Sequence, residues 1–323
     1  MAEDAQIVVG DIGGTHARFA LATLRPGARP EIGPMKRYRT REYEGLGAAW
    51  ERFARECGAE LPKSASLAVA APIEGDVLRF MNSDWRIGRR TVAGELGLDR
   101  LVLLNDFGAV AHAVSVMTAE ELQPIVGDGA LPEEGVVSIL GPGTGLGVSI
   151  LSRRGGEVRV IETEAAHIGF APLDTEEEDL ADYIAARYSR ASLERVISGP
   201  GLVDIYNFLG GAGEWNAGNA GDLWTIALDR SDPTAARALE ILVRCFGSAA
   251  GDISLAHGAM GVVVTGGLAN RMPDRLRSPA FEARFTAKGR YRERMQRVPV
   301  KLATYAEPGL LGAAVAFERE QQD

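Results

Sequence analysis

Cysteine is nearly absent: Cys57 and Cys245 are the only two in 323 residues. They are too few and too far apart for a disulfide framework or a thiolate metal site, which points to a reducing, cytoplasmic setting. No stretch reaches the ~18 uninterrupted apolar residues of a membrane-spanning helix, so no membrane association is expected. The polar opening Met-Ala-Glu-Asp-Ala-Gln has no basic segment leading into an apolar one, and no signal peptide is expected. Long basic runs are missing too. With 35 Lys and Arg against 44 Asp and Glu, the net charge is −9, which argues against a nucleic-acid partner. The Arg-rich stretch 284–297 is interleaved with Phe, Tyr and Glu and reads as the solvated face of a helix.

What is present is 46% hydrophobic residue, enough for more than one core and for an α/β chain of two lobes. Strand-like runs fall at 7–10, 18–23, 66–71 and 101–104, with helical spacing over 45–57 (Leu46, Trp50, Phe53, Cys57). The pattern then restarts, with strands at 136–140, 148–151 and 158–161. Helical segments follow near 178–188, 200–209 and 234–257, and a late strand at 261–264. Residues 210–221, rich in Gly, Ala and Asn, read as a mobile surface loop. Two strand–Gly/Thr turn–strand units thus lie 130 residues apart, counted from Gly13 to Gly143. The architecture is duplicated without a close sequence repeat.

The first turn is Asp11-Ile12-Gly13-Gly14-Thr15 and the second runs from Gly141 through Gly143-Thr144-Gly145 to Gly147. Phosphate oxygens need clustered N–H donors, and glycine lets the backbone approach them without a Cβ in the way. Each turn alone could be an ordinary tight hairpin; the pair could clamp a polyphosphate. Asp11 directly before the first turn is placed to hold Mg²⁺, through water. Neither a Gly-x-x-x-x-Gly-Lys-Ser/Thr loop nor Gly-x-Gly-x-x-Gly opening a helix is found, so P-loop and dinucleotide folds are not supported. Thr265-Gly266-Gly267 follows a buried strand and could approach a base or ribose, or simply start a helix.

Asn105-Asp106 stands where a buried strand meets a helix, the place where open α/β sheets bind ligands and where a helix favours a carboxylate. That suits a general base for a hydroxyl attacking a γ-phosphate, and it equally suits a plain helix cap. Glu164 and His167, three residues apart, could each bond a ring hydroxyl, or His167 could be structural. Glu194 is either a further hydroxyl ligand or a helix-surface charge. Asn82 and Asp84, before Trp85, could line a sugar site or shape a turn.

In order along the chain, Asp11-Ile12-Gly13-Gly14-Thr15-His16-Ala17-Arg18, Leu104-Asn105-Asp106-Phe107, the 141–147 turn, Glu164-Ala165-Ala166-His167-Ile168-Gly169, Glu194–Gly201 and Pro308-Gly309-Leu310-Leu311-Gly312 resemble the bacterial glucokinase family of non-zinc type, from residue 7 to residue 317. The resemblance implies a two-lobed actin-like ATPase (ribonuclease H-like) fold. Residues 1–115 plus 306–323 would form the smaller lobe and 116–305 the larger, with sugar and ATP in the cleft between. It implies phosphorylation of glucose by ATP with Mg²⁺. Asp106 would be the base, Asn105, Glu164, His167 and Glu194 would be hydroxyl ligands, Asp11 would serve magnesium, the two turns would serve the phosphates, and the protein would be a homodimer. Three positions depart from the family pattern: His16 where Asn is common, Ala165-Ala166 where Gly-Gly is common, and Gly169 where Asp is common.

Kinases for another hexose stay open as near alternatives, since the residues alone do not choose the epimer. A sugar-sensing regulator would want a helix-turn-helix or basic arm, and none leads the chain. An acyl-phosphate-forming kinase would want a cationic site for its carboxylate, whereas this site is acidic and amide-rich.

Overall fold

Strand β1 (Ala5–Ile12) carries Ile7, Val8 and Val9, all buried, so the chain needs partners on both faces from its first element. In the computed structural model, which describes residues 4–80, 83–213, 215, 216 and 218–321, it has them. After it come β2 (His16–Leu24), β3 (Glu31–Ile32), β4 (Lys36–Arg39), β5 (Ser64–Val69), the ribbon β6 (Val77–Arg79) with β7 (Arg86–Gly88), and β8 (Arg100–Asn105). The sheet order is β3-β2-β1-β5-β8, with β4 also alongside β2. β1 and β2 form a hairpin, while β5 and β8 join β1 in parallel.

Parallel pairing requires a crossover, and the helix Leu46–Cys57 supplies the first. Its Leu46, Ala49, Trp50 and Phe53 recur at helical spacing and are buried, and it stops at Gly58 in the left-handed region. They pack with Val8 and Phe19 on one sheet face. On the other face Ile7 and Val9 meet Leu310, Ala313, Ala314 and Phe317 of the C-terminal helix Pro308–Arg319. These elements make one compact unit, Met1–Met117 with Tyr305–Asp323; Thr118–Thr304 makes the second.

The second unit repeats the plan. Its strands are β9 (Leu122–Val126), β10 (Gly135–Pro142), β11 (Leu146–Arg154), β12 (Glu157–Thr163), β13 (Gly261–Val264) and β14 (Val300–Ala303), in the order β12-β11-β10-β13-β14-β9. β10, like β1, turns back into its hairpin partner and takes a later strand in parallel. The duplicated architecture expected from the two turns is therefore present as duplicated strand order, with β9 an addition at one edge. The 25-residue helix Pro233–His257, capped by Asp232, is buried along most of its length against Phe281 and Phe285.

Two sequence readings change. Residues 284–297 are not one solvated helix: the helix ends at Thr286, Gly289 takes φ 54°, and a short helix restarts at Arg292. Arg284 turns inward, with Nη2 2.6 Å from Asp174 and 2.7 Å from Glu177, whose side chain is 1% exposed. The 210–221 loop gives up its last residues to the helix Ala220–Asp229, and Tyr206 pins its start by donating its hydroxyl to Ala212 O at 3.0 Å.

Candidate active site

The first turn is Gly13-Gly14-Thr15, closed by Gly13 N–H donating to His16 O at 2.9 Å. Buried Thr40, just past β4, ties it down: its N–H donates to Thr15 O at 3.0 Å and its hydroxyl to Gly14 O at 2.7 Å. Hairpin register sets Asp11 opposite Arg18, and Arg18 Nη1 donates to Asp11 Oδ2 at 2.9 Å. Arg18 Nε also stands 3.6 Å from Glu307. The start of the C-terminal helix lies here, so close that a Cβ on Gly309 would come within 3.1 Å of Asp11 Cγ. Burial pushes the Asp11 carboxyl above its ordinary range, and Arg18 pulls it back only in part. Burial, then Arg18, Arg37 and Arg39, hold His16 below its usual value.

Gly14, Thr15 and His16 open into a cavity of about 750 Å³ within this unit, shared with Ser83, Asp84 and Trp85. Trp85 is fixed by its indole N–H donating to Tyr43 O at 3.0 Å. The segment named as a candidate sugar wall is thus beside the phosphate turn. Asn82 itself lies outside the described residues.

At the end of β8 the helix Asp106–Val114 is capped by Asn105, not by Asp106. Asn105 Oδ1 accepts from Phe107 N at 2.8 Å and Gly108 N at 3.3 Å, and its Nδ2 donates to Ala71 O at 3.4 Å. Asp106 occupies the first helical position, with Oδ1 accepting from Phe107 N at 2.9 Å. A partly buried carboxylate is thereby held at a positive helix end.

In the second unit, Gly143 N–H donates to Gly145 O at 2.7 Å, and Gly199 N–H, opening the helix Gly199–Phe208, donates to Gly143 O at 2.8 Å. Glu194 Oε2 accepts from Leu146 N at 3.1 Å, so this side chain holds the far end of the turn. Thr144 is exposed, and a Cβ at Gly143 or Gly267 would meet nothing within 4 Å, leaving both backbones open to a ligand. Gly266 is different. Its φ of 96° and a would-be Cβ 3.1 Å from Pro142 O make glycine a structural need where this turn crosses β10.

Glu164 and His167 flank a single 3₁₀ turn at the end of β12; both are exposed, with Nε2 and Oε2 3.6 Å apart. Leu193 N–H donates to Ile168 O at 3.0 Å and brings Glu194's helix against the same turn. Ala165 and Ala166 are not in the left-handed region, and the Ala166 methyl is buried in the core, so these methyls fit where glycine is common. A side chain at Gly169 would approach Arg190 Nη2 at 3.8 Å.

The glucokinase family model matches residues 8–320. The glucokinase of Zymomonas mobilis is 44% identical over 98% of this chain and 99% of its own. The chain belongs to the glucokinase family. Stenotrophomonas maltophilia glucokinase is 36% identical over 100% of this chain and 98% of its own. Among solved structures, a glucokinase from an Antarctic psychrotroph superposes with a TM-score of 0.83 at 30% identity, covering 97% of this chain and 99% of that one. A Streptomyces griseus glucokinase of the ROK family, solved with glucose and AMPPNP, gives 0.62 at 19% identity over 96% and 98%, a likeness of fold alone. The family's actin-like ATPase fold is the one described above.

Three residues of this site were given no role by sequence reasoning, though two of them stand in the motifs quoted above. Arg18 was legible in principle, because the hairpin register that pairs Ile12 with Ala17 sets it opposite Asp11. For Thr40 and Gly309 no local signal gives the role; only the fold brings them to the turn and to Asp11.

Proposed function

We propose that this chain transfers the γ-phosphoryl group of ATP to the 6-hydroxyl of glucose, giving glucose 6-phosphate and ADP. The observation that carries the mechanism is the Asn105 cap, which fixes the helix start and leaves Asp106 at its first position. Asp106 accepts the hydroxyl proton as the sugar oxygen attacks in line, and most of the rate comes from positioning and charge stabilisation. Glu164, His167 and Glu194 bind the remaining hydroxyls together with Asn82 and Asn105. The backbones of Gly13, Gly14 and Thr15 and of Gly143, Thr144 and Gly145 take phosphate oxygens, and Gly266-Gly267 lies under the nucleoside.

Magnesium commonly binds one or two carboxylates plus substrate phosphates rather than a protein cage. The Asp11 carboxylate beside a phosphate turn, with Glu307 across Arg18 and no cluster of three or more metal-ligating side chains among the described residues, fits that mode. Asp11 would hold the ion, exchanging part of its contact with Arg18. Bound there with the nucleotide, Mg²⁺ would neutralise phosphate charge. We also propose a cytoplasmic homodimer, as the family resemblance implies.

The test is a coupled assay with glucose, MgATP and glucose-6-phosphate dehydrogenase, run beside Asp106→Ala. Turnover should fall at least ~10²-fold in the variant, the usual contribution of a positioned base. Glucose binding by calorimetry should survive. A near-wild-type rate would remove Asp106 from the mechanism, and turnover only with another hexose would reassign the substrate.

A further inference from the structure

A second cavity in the first unit, about 450 Å³, lies between the edge strand β4 and the helix Leu46–Cys57. Three of its lining side chains are cationic, Lys36, Arg52 and Arg55, and one, Glu56, is anionic. Arg37 borders it on β4, but pairing with Arg18 puts its side chain on the other face of the sheet, toward His16 and Glu307. Glu56 is fully engaged. Arg52 Nε is 2.6 Å from Oε1, while Tyr38 Oη at 3.1 Å and Lys36 Nζ at 3.8 Å share Oε2. Among the described residues, Arg55 has no carboxylate within ion-pair distance.

Three cations around a single carboxylate leave the groove two charges positive, in a chain whose net charge is −9. Nothing in the proposed phosphoryl transfer uses these residues. We infer that this groove is a separate binding site for a small phosphate-bearing anion. A phosphate ester or pyrophosphate brings two or three negative charges and oxygens suited to arginine forks. The volume is in the range of small-ligand sites. A nucleic acid is the poorer fit, since its remaining phosphates would face an acidic protein.

The site has a mechanical route to the first turn. Lys36 belongs to β4, which pairs with β2, and Thr40, directly after β4, holds Gly14 and Thr15. An anion that draws Lys36 toward Arg52 and Arg55 therefore acts on the strand that positions the turn. This second part rests on the phosphoryl-transfer reading; the binding itself does not.

Calorimetry tests it. Pyrophosphate is titrated into the full chain saturated with glucose and AMPPNP, with inorganic phosphate and glucose 6-phosphate in parallel to separate bare phosphates from a sugar ester. One site should persist under AMPPNP for at least one titrant, and K36Q/R55Q should weaken it by about tenfold or more while keeping the wild-type unfolding midpoint. Equal binding by wild type and variant, or no binding of any titrant, would overturn the proposal. If AMPPNP itself does not bind, the phosphoryl-transfer reading fails while the Lys36/Arg55 dependence still decides this site. For the link to the turn, the titrant should change the KM for ATP in wild type and less in K36Q/R55Q; an equal change in both would overturn it.

Discussion

Gly312→Ala should damage both the fold and the rate, for one geometric reason. Gly312 sits in the C-terminal helix where it crosses Asp106–Val114, and a Cβ there would overlap the carbonyl oxygen of Ala109. The obstacle is backbone, so no side-chain rotation relieves it, and the helices must separate by about an ångström or more to restore contact distance. Overpacking of this kind costs typically 1–3 kcal/mol, and with backbone on the opposing side we expect about 3 kcal/mol. The displaced helix carries Asp106 at its first position, and a shift of ~1 Å at a reacting group can cost ~10²-fold. The assay is urea unfolding of the variant with kcat measured on the same preparation. Gly94→Ala is the control: its added methyl meets nothing within 4 Å. It should stay within about 0.5 kcal/mol of wild type. Should Gly312→Ala unfold at the wild-type urea concentration and turn over at the wild-type rate, the close crossing of these helices is not as described.

Gly266→Ala places a side chain in a backbone region nearly reserved for glycine and against Pro142 O, so a loss of about 2–3 kcal/mol with a raised KM for ATP is expected in unfolding and rate measurements. Arg284→Met strands Glu177, buried beside it, and should cost about 3 kcal/mol by denaturant titration even with Arg244 3.6 Å away. Burial, then Arg319, holds His112 down at about 4, and Arg319 Nη1 donates to its Nδ1 at 2.9 Å, a bond that needs the neutral ring. The unfolded chain therefore binds the extra proton first. Its contribution is full above the ordinary histidine value of 6.5 and is lost as pH falls toward 4, with a slope approaching 1.4 kcal/mol per pH unit. His112→Gln should flatten wild type's stability decline in that window; an unchanged slope would show that other groups set it.

Local chemistry made much of this legible. Period, apolar runs and glycine turns located β1, β2, β10 and β11, and the duplicated strand order followed from seeing one unit twice. Asn105-Asp106 was placed at a strand-to-helix junction correctly, but which residue caps depends on a single residue of phase, which only the helix start resolves. The 284–297 stretch misled because charge pattern alone does not distinguish a solvated arginine from one that turns inward to meet Asp174 and Glu177. Thr40 was invisible, since a hydroxyl 26 residues from the carbonyl it bonds has no local signature. The basic groove was hidden for the same reason: no run carries it, and it exists only when β4 and the helix Leu46–Cys57 come side by side.

Because Asn105 rather than Asp106 caps the helix, the proposed base and the scaffold are separable. An enzyme whose proton acceptor also caps its helix cannot lose one without fraying the other, and its inactive variants are ambiguous. Here Asp106→Asn should be a faithful decoy, folded and able to hold both sugar and nucleotide without consuming them. That makes it suited to capturing the loaded complex in a crystal, where the placement of the two units around their ligands would be seen directly.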